Sequence, residues 1–298
     1  MNRTVSRSLH EGTLLLWLLP LAIVCISVFV IPVIQIVRWS FSDSTLMKEG
    51  HELSLRAYIA LLSSNDFMSI LRTTLIFVVA SVLLQVALGF VIALFLDYGN
   101  RRGLRGTIIV RTAVLVSWAI PGVVAGVIWK MMFSEMDSGL ITSLAHFIVP
   151  TSRPRFLSSP AAALASSVVA NVWRGTAYSM ILLYAGLMTF PNDLNEASQI
   201  DGANAFQRLF QIKIPVLAPL FLICILLVTV QTFNTFDMLM ALTGGGPGRG
   251  TEVLALYIYK TIFTELNLGR GSAAAMLLLL INVAMTWVYF RFLNIGAA

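Results

Sequence analysis

Long apolar stretches constrain the fold of this chain more than any other feature. Five of them carry no charged residue, and one more is interrupted only by Arg174. A helix of about 18 residues or more can cross about 30 Å of hydrocarbon. The sequence therefore predicts an all-α membrane protein with six transmembrane helices. The predicted spans are Leu14–Val37, Thr73–Leu96, Thr112–Trp129, Ala161–Phe190, Ile214–Phe236 and Gly271–Phe290.

The overall composition supports the same class. Charged residues make up 11% of the chain, whereas soluble domains carry about 25%, so too little polar surface remains to face water. Cys25 and Cys224 both lie in apolar stretches, which argues against a structural disulfide. The three histidines are scattered without the spacing of metal ligands, and we predict no metal site.

The first apolar stretch has two possible interpretations. Arg3 and Arg7 precede it, as in a secretory signal peptide. It is however 24 residues long and lacks a small-x-small cleavage site, so we interpret it as an uncleaved span that follows an N-terminal segment, residues 1–13. With six spans, residues 14–290 form the membrane-spanning core, residues 291–298 form a tail, and both termini lie on one side.

Clusters of basic residues predict the orientation. Arg3 and Arg7 lead the first span, and the loop Asp97–Arg111 holds four arginines. Short loops rich in Lys and Arg stay in the cytoplasm, so these segments and both termini are predicted to be cytoplasmic. The opposite loops, 38–72, 130–160 and 237–270, have mixed charges and as many basic residues. The orientation therefore depends on the dense clusters and not on the totals.

The stretch Leu242–Glu252, LTGGGPGRGTE, looks like a phosphate-binding loop. A Walker A loop needs a lysine before its final Ser or Thr and a strand before its first glycine. Thr251 occupies the position of that lysine, and a predicted span precedes the loop. We therefore predict a tight turn in which glycines supply positive φ, and no nucleotide site. The following stretch, Thr251–Gly269, is predicted to form an amphipathic helix along the outer surface.

A polar insertion, Asn192–Pro219, separates the fourth and fifth spans. It predicts two short helices that break at Gly202, which can adopt the left-handed conformation that ends a helix. Asp193 is the predicted N-cap, with Glu196 in the capping-box position, and Pro215 opens the next span. A short helix of this kind suits docking into a partner's groove, although a solvated interfacial loop would show the same pattern.

The insertion resembles the EAA signature, E-A-A-x3-G-x9-I-x-L-P, of the membrane subunits of ABC importers. The match comprises Glu196-Ala197-Ser198, Gly202 and Ile212-x-Ile214-Pro215, with Ser198 in place of the second alanine and Ile214 in place of leucine. Three longer segments, Arg111–Phe133, Asn171–Ala203 and Leu242–Ala275, resemble the carbohydrate-uptake branch of maltose and glycerol-3-phosphate type. The resemblance extends over roughly residues 14–290.

The resemblance implies a type I ABC importer permease fold and a binding-protein-dependent importer for a sugar or sugar derivative, in a bacterial inner membrane. The implied partners are a second permease subunit, two copies of a cytoplasmic ATPase and an external solute-binding protein. ATP and Mg²⁺ would be held by the ATPase, so this chain is expected to be no enzyme and to carry no cofactor. Its coupling loop, residues 192–213, would contact the ATPase through Glu196, Ala197, Ser198, Asp201 and Gly202.

The translocation path is predicted from polar residues inside two spans. A charge within a span costs at least about 2.5 kcal/mol, so Arg174 should avoid lipid. Polar residues at helical spacing accompany it, and the fifth span has a second polar stripe that continues to Met238. The resemblance implies substrate contacts in both segments. The candidates are Asn171, Trp173, Arg174, Gly175 and Tyr178 in the fourth span, and Gln231, Thr232, Asn234 and Thr235 in the fifth.

Other interpretations stay open at this point. Arg174 could pair with an acidic residue at a subunit interface or extend its head group to the membrane surface. Thr232 and Asn234 could form hydrogen bonds between helices. The chain could be a secondary transporter driven by an ion gradient, although none of the six predicted spans contains an acidic residue. A membrane-embedded enzyme is disfavoured because the sequence contains no HExxH, GxSxG or DxD-type motif and no buried Ser–His couple.

Overall fold

The computed structural model describes residues 17–48, 50, 53–136, 138–149 and 154–296. The predicted N-terminal segment, residues 1–13, lies outside them. The described residues form helices and hold no strand, apart from one isolated bridge between Ser42 and Leu53. The helices are α1 (Trp17–Ser40), α2 (Arg56–Leu62), α3 (Asn65–Arg101), α4 (Gly106–Ala119), α5 (Gly122–Met132), α6 (Leu140–Ile148), α7 (Pro160–Met188), α8 (Asn192–Ile200), α9 (Ala205–Phe233), α10 (Asp237–Leu242), α11 (Leu254–Phe263) and α12 (Leu268–Gly296).

Four of these helices, α1, α3, α9 and α12, are long and apolar enough to cross a membrane. The pair α4 and α5 brings the number to five if it is one bent span. These are the candidate spans by length and composition in the described part of the chain, against the six that the sequence predicts. The remaining predicted span corresponds to α7, whose 29 residues would extend over about 43 Å. Its Ser, Asn and Arg side chains lower its hydropathy, and many of its residues are buried against protein.

The third predicted span is not one helix. A single helix over Thr112–Trp129 is not present, because α4 ends at Ala119 and α5 starts at Gly122 after a bend of 104°. Pro121 has no backbone N–H to continue the hydrogen-bond ladder. Ile120 before it is extended, with ψ of 127°, as expected for a residue that precedes proline.

The chain divides into two compact units, and the larger one comprises residues 65–259 and 278–298. Its centre is the pair of long helices α3 and α7, which pack closely along their lengths. Gly89 of α3 lies directly against Ser179 and Met180 of α7. Helix α9 packs on both, and the rings of Phe90 and Phe221 meet edge to face at 4.8 Å. The close approach of α3 and α7 therefore depends on Gly89, which has no side chain to separate the two helices.

We expect Gly89→Ala to destabilise the protein. A Cβ at this position would lie 2.8 Å from the backbone nitrogen of Met180, which a rigid helix cannot easily yield. Overpacking of this kind costs about 1–3 kcal/mol, more than the about 0.5–1 kcal/mol that alanine gains over glycine within a helix. Gly106→Ala is the matched control, because nothing lies within 4 Å of its Cβ. Melting temperatures in detergent should fall for the first variant alone, and equal values for the two would contradict this packing.

A second cluster in the larger unit joins α5, α7 and α10. Its buried members are Trp129, Phe133, Ala170, Met238 and Leu242. Gly126 of α5 lets the backbone of α10 approach, since a Cβ there would meet the carbonyl oxygen of Met238. Met238 is fully buried in this cluster and belongs to the core.

The smaller unit comprises residues up to Ser64 together with residues 260–277, described from Trp17 onward. Its α1 contains a π-helical turn, Ile26–Val30, which ends two residues before Pro32, a proline that lacks a backbone donor. Backbone hydrogen bonds join the segment after α1 to the start of α12, from Leu46 to the carbonyl of Leu266 and from Gly269 to that of Ser44. Most side chains of α1 are exposed in the described structure.

Glu135 organises the connection between α6 and α7 in the larger unit. Its carboxylate accepts hydrogen bonds of 2.9 Å from the backbone N–H groups of Leu157 and Ser158 and from the Ser158 hydroxyl. The bond from the Leu157 N–H is the main reason that the pKa of Glu135 lies below its ordinary value of 4.5. The ionised carboxylate is thus the form that holds the segment.

This shift predicts a pH dependence. Because the folded pKa is depressed, the stabilisation from Glu135 is complete above pH 4.5 and is lost as the pH falls through the folded pKa. Glu135→Gln should therefore lower the melting temperature slightly at neutral pH and have less effect in acid, where the wild-type carboxylate is protonated too. Melting curves of both proteins over a pH series check this. A difference that grows toward acid pH would refute it.

Candidate functional site

Helix α8 carries the residues that match the EAA signature. It begins at Asn192, and the residue before it, Pro191, gives its first turn no side-chain hydrogen bond. The prediction that Asp193 is the N-cap is wrong, because Asp193 lies inside the first turn, where its charge favours the helix N-terminus. The helix ends at Ile200, and Gly202 has φ of +78°. The predicted break at Gly202 is confirmed, and a larger residue there would be strained.

The second part of the insertion starts with a capping box. The side chain of Asn204 accepts from the N–H of Gln207, and the side chain of Gln207 accepts from the N–H of Asn204, both at 2.9 Å. The following helix is continuous with the fifth span through a π-helical segment, Arg208–Lys213. The prediction of a separate short helix before Pro215 is therefore wrong. The widened turn accommodates a proline that cannot donate a hydrogen bond.

Helix α8 has one inward side and one projecting side. Ser198 is 6% exposed, and its hydroxyl donates to the Asn195 carbonyl at 2.8 Å, so Ser198 faces the body of the protein. Leu194 and Ile200 are 44% and 87% exposed, with exposed Ala197 between them at helical spacing. Glu196, Asp201 and Gly202 are exposed as well. The helix thus presents an apolar stripe flanked by carboxylates, which suits a groove with a basic rim.

A buried carboxylate anchors the base of this loop. Asp97, near the end of α3, has a side chain that is 5% exposed, and it pairs with Arg101 at 2.8 Å and with Lys213 of α9 at 3.7 Å. The carboxylate therefore joins the end of α3 to the π-helical segment that follows α8. Sequence reasoning missed this role, although Asp97 directly follows an apolar stretch, where an acidic residue needs a partner.

The predicted stripe on α7 is present, and one candidate stands apart from it. Asn171 is buried, while Arg174, Gly175 and Tyr178 are half-buried on the same face. Among the described residues, Asn171 Nδ2 and Arg174 Nε are buried without a hydrogen-bond partner, and Arg174 makes no ion pair. Trp173 lies on another face, where its ring meets that of Trp129 edge to face at 5.7 Å. The α7 stripe therefore holds buried polar groups whose hydrogen bonds are not satisfied by the described residues.

The candidates of the fifth span lie at the end of α9. The Thr232 hydroxyl donates to the Val228 carbonyl at 2.7 Å, and the Asn234 amide donates to the Val230 carbonyl at 2.7 Å. The Thr235 hydroxyl likewise donates to the Gln231 carbonyl at 3.1 Å. These bonds are local, so the expectation of bonds between helices is not met. Gln231 and Asn234 are exposed, whereas Met238 is buried on α10, and the predicted stripe ends before it.

Two further polar residues border the α7 stripe, and sequence reasoning missed both. Gln85 of α3 is 2% exposed and packs against Gly175, where a Cβ would meet its amide. Ser117 of α4 donates to the Trp173 carbonyl at 3.1 Å. Gln85 was detectable as the one amide in its apolar stretch, but its partner is known only from the packing of α3 on α7.

The glycine loop is a tight turn, as predicted. Gly244, Gly245 and Gly248 have φ of 60°, 87° and 53°, which a glycine adopts without strain. Arg249 also has positive φ, and its guanidinium pairs with Asp66 at 2.8 Å and with Glu252 at 3.3 Å. The pair with Asp66 ties the loop to the start of α3, and the pair with Glu252 lies within the loop.

The helix after the glycine loop differs from its prediction. We expected an amphipathic helix lying along the surface, yet Leu254 and Leu256 are fully buried and Tyr257 is 2% exposed. The Leu254 N–H donates to the hydroxyl of Thr74 at 2.8 Å. The start of α11 is therefore buried on several sides, and the surface prediction is wrong because the first turn packs against α3.

Comparisons with known proteins agree with this architecture. Residues 85–293 match the family described as the inner membrane component of binding-protein-dependent transport systems. The chain is 33% identical over 277 residues to the trehalose/maltose transport system permease protein MalF of Thermococcus litoralis, covering 93% of this chain and 92% of that protein. It is 32% identical over 258 residues to the sn-glycerol-3-phosphate transport system permease protein UgpA of Agrobacterium fabrum, covering 85% and 86%.

A solved structure shows the same fold. A chain of a bacterial ABC transporter involved in the import of the acidic polysaccharide alginate superposes with a TM-score of 0.84 at 18% identity, covering 98% of this chain and 99% of that one. The apolar spans and the family match together place this chain in the class of multi-pass membrane transport proteins. More particularly, this chain belongs to the family of inner membrane components of binding-protein-dependent transport systems, and it has the ABC importer permease fold.

Proposed function

We propose that this chain is one of two permease subunits of an ATP-driven importer for a sugar or sugar derivative. The observation that carries the proposal is the projecting helix α8, which displays Leu194, Ala197 and Ile200 beside the carboxylate of Glu196. The names of the relatives, which concern trehalose/maltose and glycerol 3-phosphate, support the substrate class. The partners are a second permease, two ATPase copies and an external binding protein.

The proposed orientation places α8 in the cytoplasm, with both termini on the same side. The arginine-rich turn between α3 and α4 supports it, because Arg101, Arg102 and Arg105 lie there within five residues, and such clusters stay inside. The base of α8 contacts this same end of α3 through Asp97 and Lys213. The coupling loop and the basic cluster are therefore on one side.

The proposed mechanism transmits movement through this junction. Binding and hydrolysis of ATP on the partner close and open the ATPase dimer, and α8 moves with the groove that holds it. Ser198 fixes α8 internally and Gly202 sets its angle to α9, so the movement passes to the base of α9 and to α3 through the pairs of Asp97. Only contacts that differ between the two states can shift the transporter between them.

In this proposal the α7 stripe forms this subunit's half of the translocation path. Asn171 and Arg174 offer donors without partners among the described residues, and Gln231 and Asn234 offer exposed amides at the end of α9. Hydroxyl groups of a sugar are suitable acceptors for these donors. Tyr178, with Trp118 at 6.4 Å between ring centroids, supplies an aromatic surface for the face of a sugar ring. Trp173, on another face of α7, would support the path through its contact with Trp129.

Reconstitution tests the proposal. The chain, co-expressed with its neighbouring permease, ATPase and binding protein, is placed in proteoliposomes, and uptake of radiolabelled sugars is measured with and without ATP on the ATPase side. We expect uptake that needs both ATP and the binding protein. Uptake driven by a proton or sodium gradient without ATP would support the alternative, a secondary transporter, and would reject this proposal.

A further inference from the structure

A cavity of about 420 Å³ lies between the end of α3, helix α8 and the π-helical start of α9. Its walls include Asp97 and Arg101 of α3, and Arg208 and Lys213 of α9. Leu94 of α3 and Leu209 of α9 provide apolar wall. A cavity of this size can hold a small ligand, and its position does not overlap the α7 stripe.

The charges of the cavity do not balance. Three basic side chains face one carboxylate, and the almost fully buried Asp97 already binds two of them, Arg101 and Lys213. Arg208 is half-buried and forms no ion pair with any residue that the structure describes. A half-buried cation such as Arg208 is stabilised by a nearby counter-charge. The cavity therefore favours an anion that brings hydrogen-bond acceptors.

The chemistry of the walls indicates which anion fits. Guanidinium and ammonium groups together are the usual ligands of phosphate. Basic pockets between membrane helices on the cytoplasmic side bind the head groups of anionic lipids, with apolar wall for the acyl chains. We propose that this cavity binds a phosphate group between Arg208 and Lys213, supplied either by an anionic phospholipid or by a soluble phosphate ester.

A bound phosphate would also affect the loop beside it. Arg208 lies at the start of the π-helical segment and Lys213 at its end, so one phosphate would bind both ends of the segment. It would also share with Asp97 the neutralisation of Lys213. It would therefore stabilise the base of α8, and we expect it to act as an effector of coupling. Without the bound phosphate, the translocation path along the α7 stripe would be unchanged.

A binding experiment tests this inference independently of transport. The full chain is placed in nanodiscs of phosphatidylcholine alone or with added phosphatidylglycerol, and a third sample receives glycerol 3-phosphate in phosphatidylcholine nanodiscs. Melting temperatures are recorded for wild type, Arg208→Gln, Arg208→Lys and the control Arg105→Gln. Arg105 is exposed and lies outside the cavity. Arg105→Gln therefore changes the net charge as much as Arg208→Gln does, without altering the cavity.

We expect wild type and Arg105→Gln to be stabilised by the lipid or by the ester, and the sample that responds identifies the source. Arg208→Gln should weaken the apparent affinity about tenfold, as for the loss of a charge-assisted hydrogen bond, and Arg208→Lys should retain most of it. The shift should shrink at high salt. If wild type shows no shift with either phosphate source, or if Arg105→Gln loses the shift as fully as Arg208→Gln, the proposed site is rejected.

Discussion

Glu196→Lys is expected to abolish ATP-driven uptake while the transporter still assembles. Glu196 is exposed on α8, and on docking it would face the basic rim of the ATPase groove. Replacing an attractive charge pair at an interface by a repulsive one should lower ATP-driven uptake by about 30-fold or more. The fold should be unaffected, because Glu196 is exposed and its side chain forms no ion pair with any residue that the structure describes. Uptake in proteoliposomes and the yield of the purified complex measure the two effects separately.

Two further variants sharpen this experiment. Glu196→Gln removes the charge without reversing it and should retain part of the uptake. Glu265→Lys reverses the charge of another exposed glutamate, remote from α8 in sequence, and should transport normally. Normal uptake by Glu196→Lys would remove Glu196 from the coupling contact, and loss of assembly would show that its role is structural.

Arg174→Ala is expected to reduce uptake about tenfold or more, if the guanidinium makes a charge-assisted hydrogen bond to the substrate. The same change should leave the stability of the chain unchanged or raise it. The Nε of Arg174 is buried without a partner among the described residues, and a charge within a span costs at least about 2.5 kcal/mol. Uptake and melting temperature should therefore change independently or in opposite directions.

That combination distinguishes the three interpretations of Arg174. If Arg174 pairs with a carboxylate of the second permease, Arg174→Ala should weaken the heterodimer, which size-exclusion chromatography measures. If it extends to the membrane surface, both uptake and stability should stay at the wild-type level. Arg174→Lys keeps the charge but loses the planar donor set, so partial uptake by this variant would support direct contact with substrate. Arg105→Ala, at an exposed arginine, is the control.

Sequence reasoning was most successful where the signal is local. Gly202 was predicted to end the loop helix because glycine alone adopts positive φ without strain, and the structure confirms φ of +78°. The glycine loop was predicted to be a turn because it lacks the lysine of a nucleotide site, and its glycines have positive φ. Prediction failed at Asp193 and at Pro215, where the chain uses a capping box at Asn204 and a π-helical turn. Several alternatives satisfy the same backbone groups, so local sequence does not select one.

The sequence by itself determined that the chain belongs in a membrane and where the EAA loop lies, because apolar length and backbone conformation depend on near neighbours in the chain. Only the tertiary structure decided that many residues of α7 are buried against protein, that the chain bends sharply between α4 and α5, and that the start of α11 is buried. It also decided the partners of Asp97, one of which is Lys213, 116 residues further along the chain. The sequence distance alone could not pair them, because burial and electrostatics depend on which surfaces meet in space.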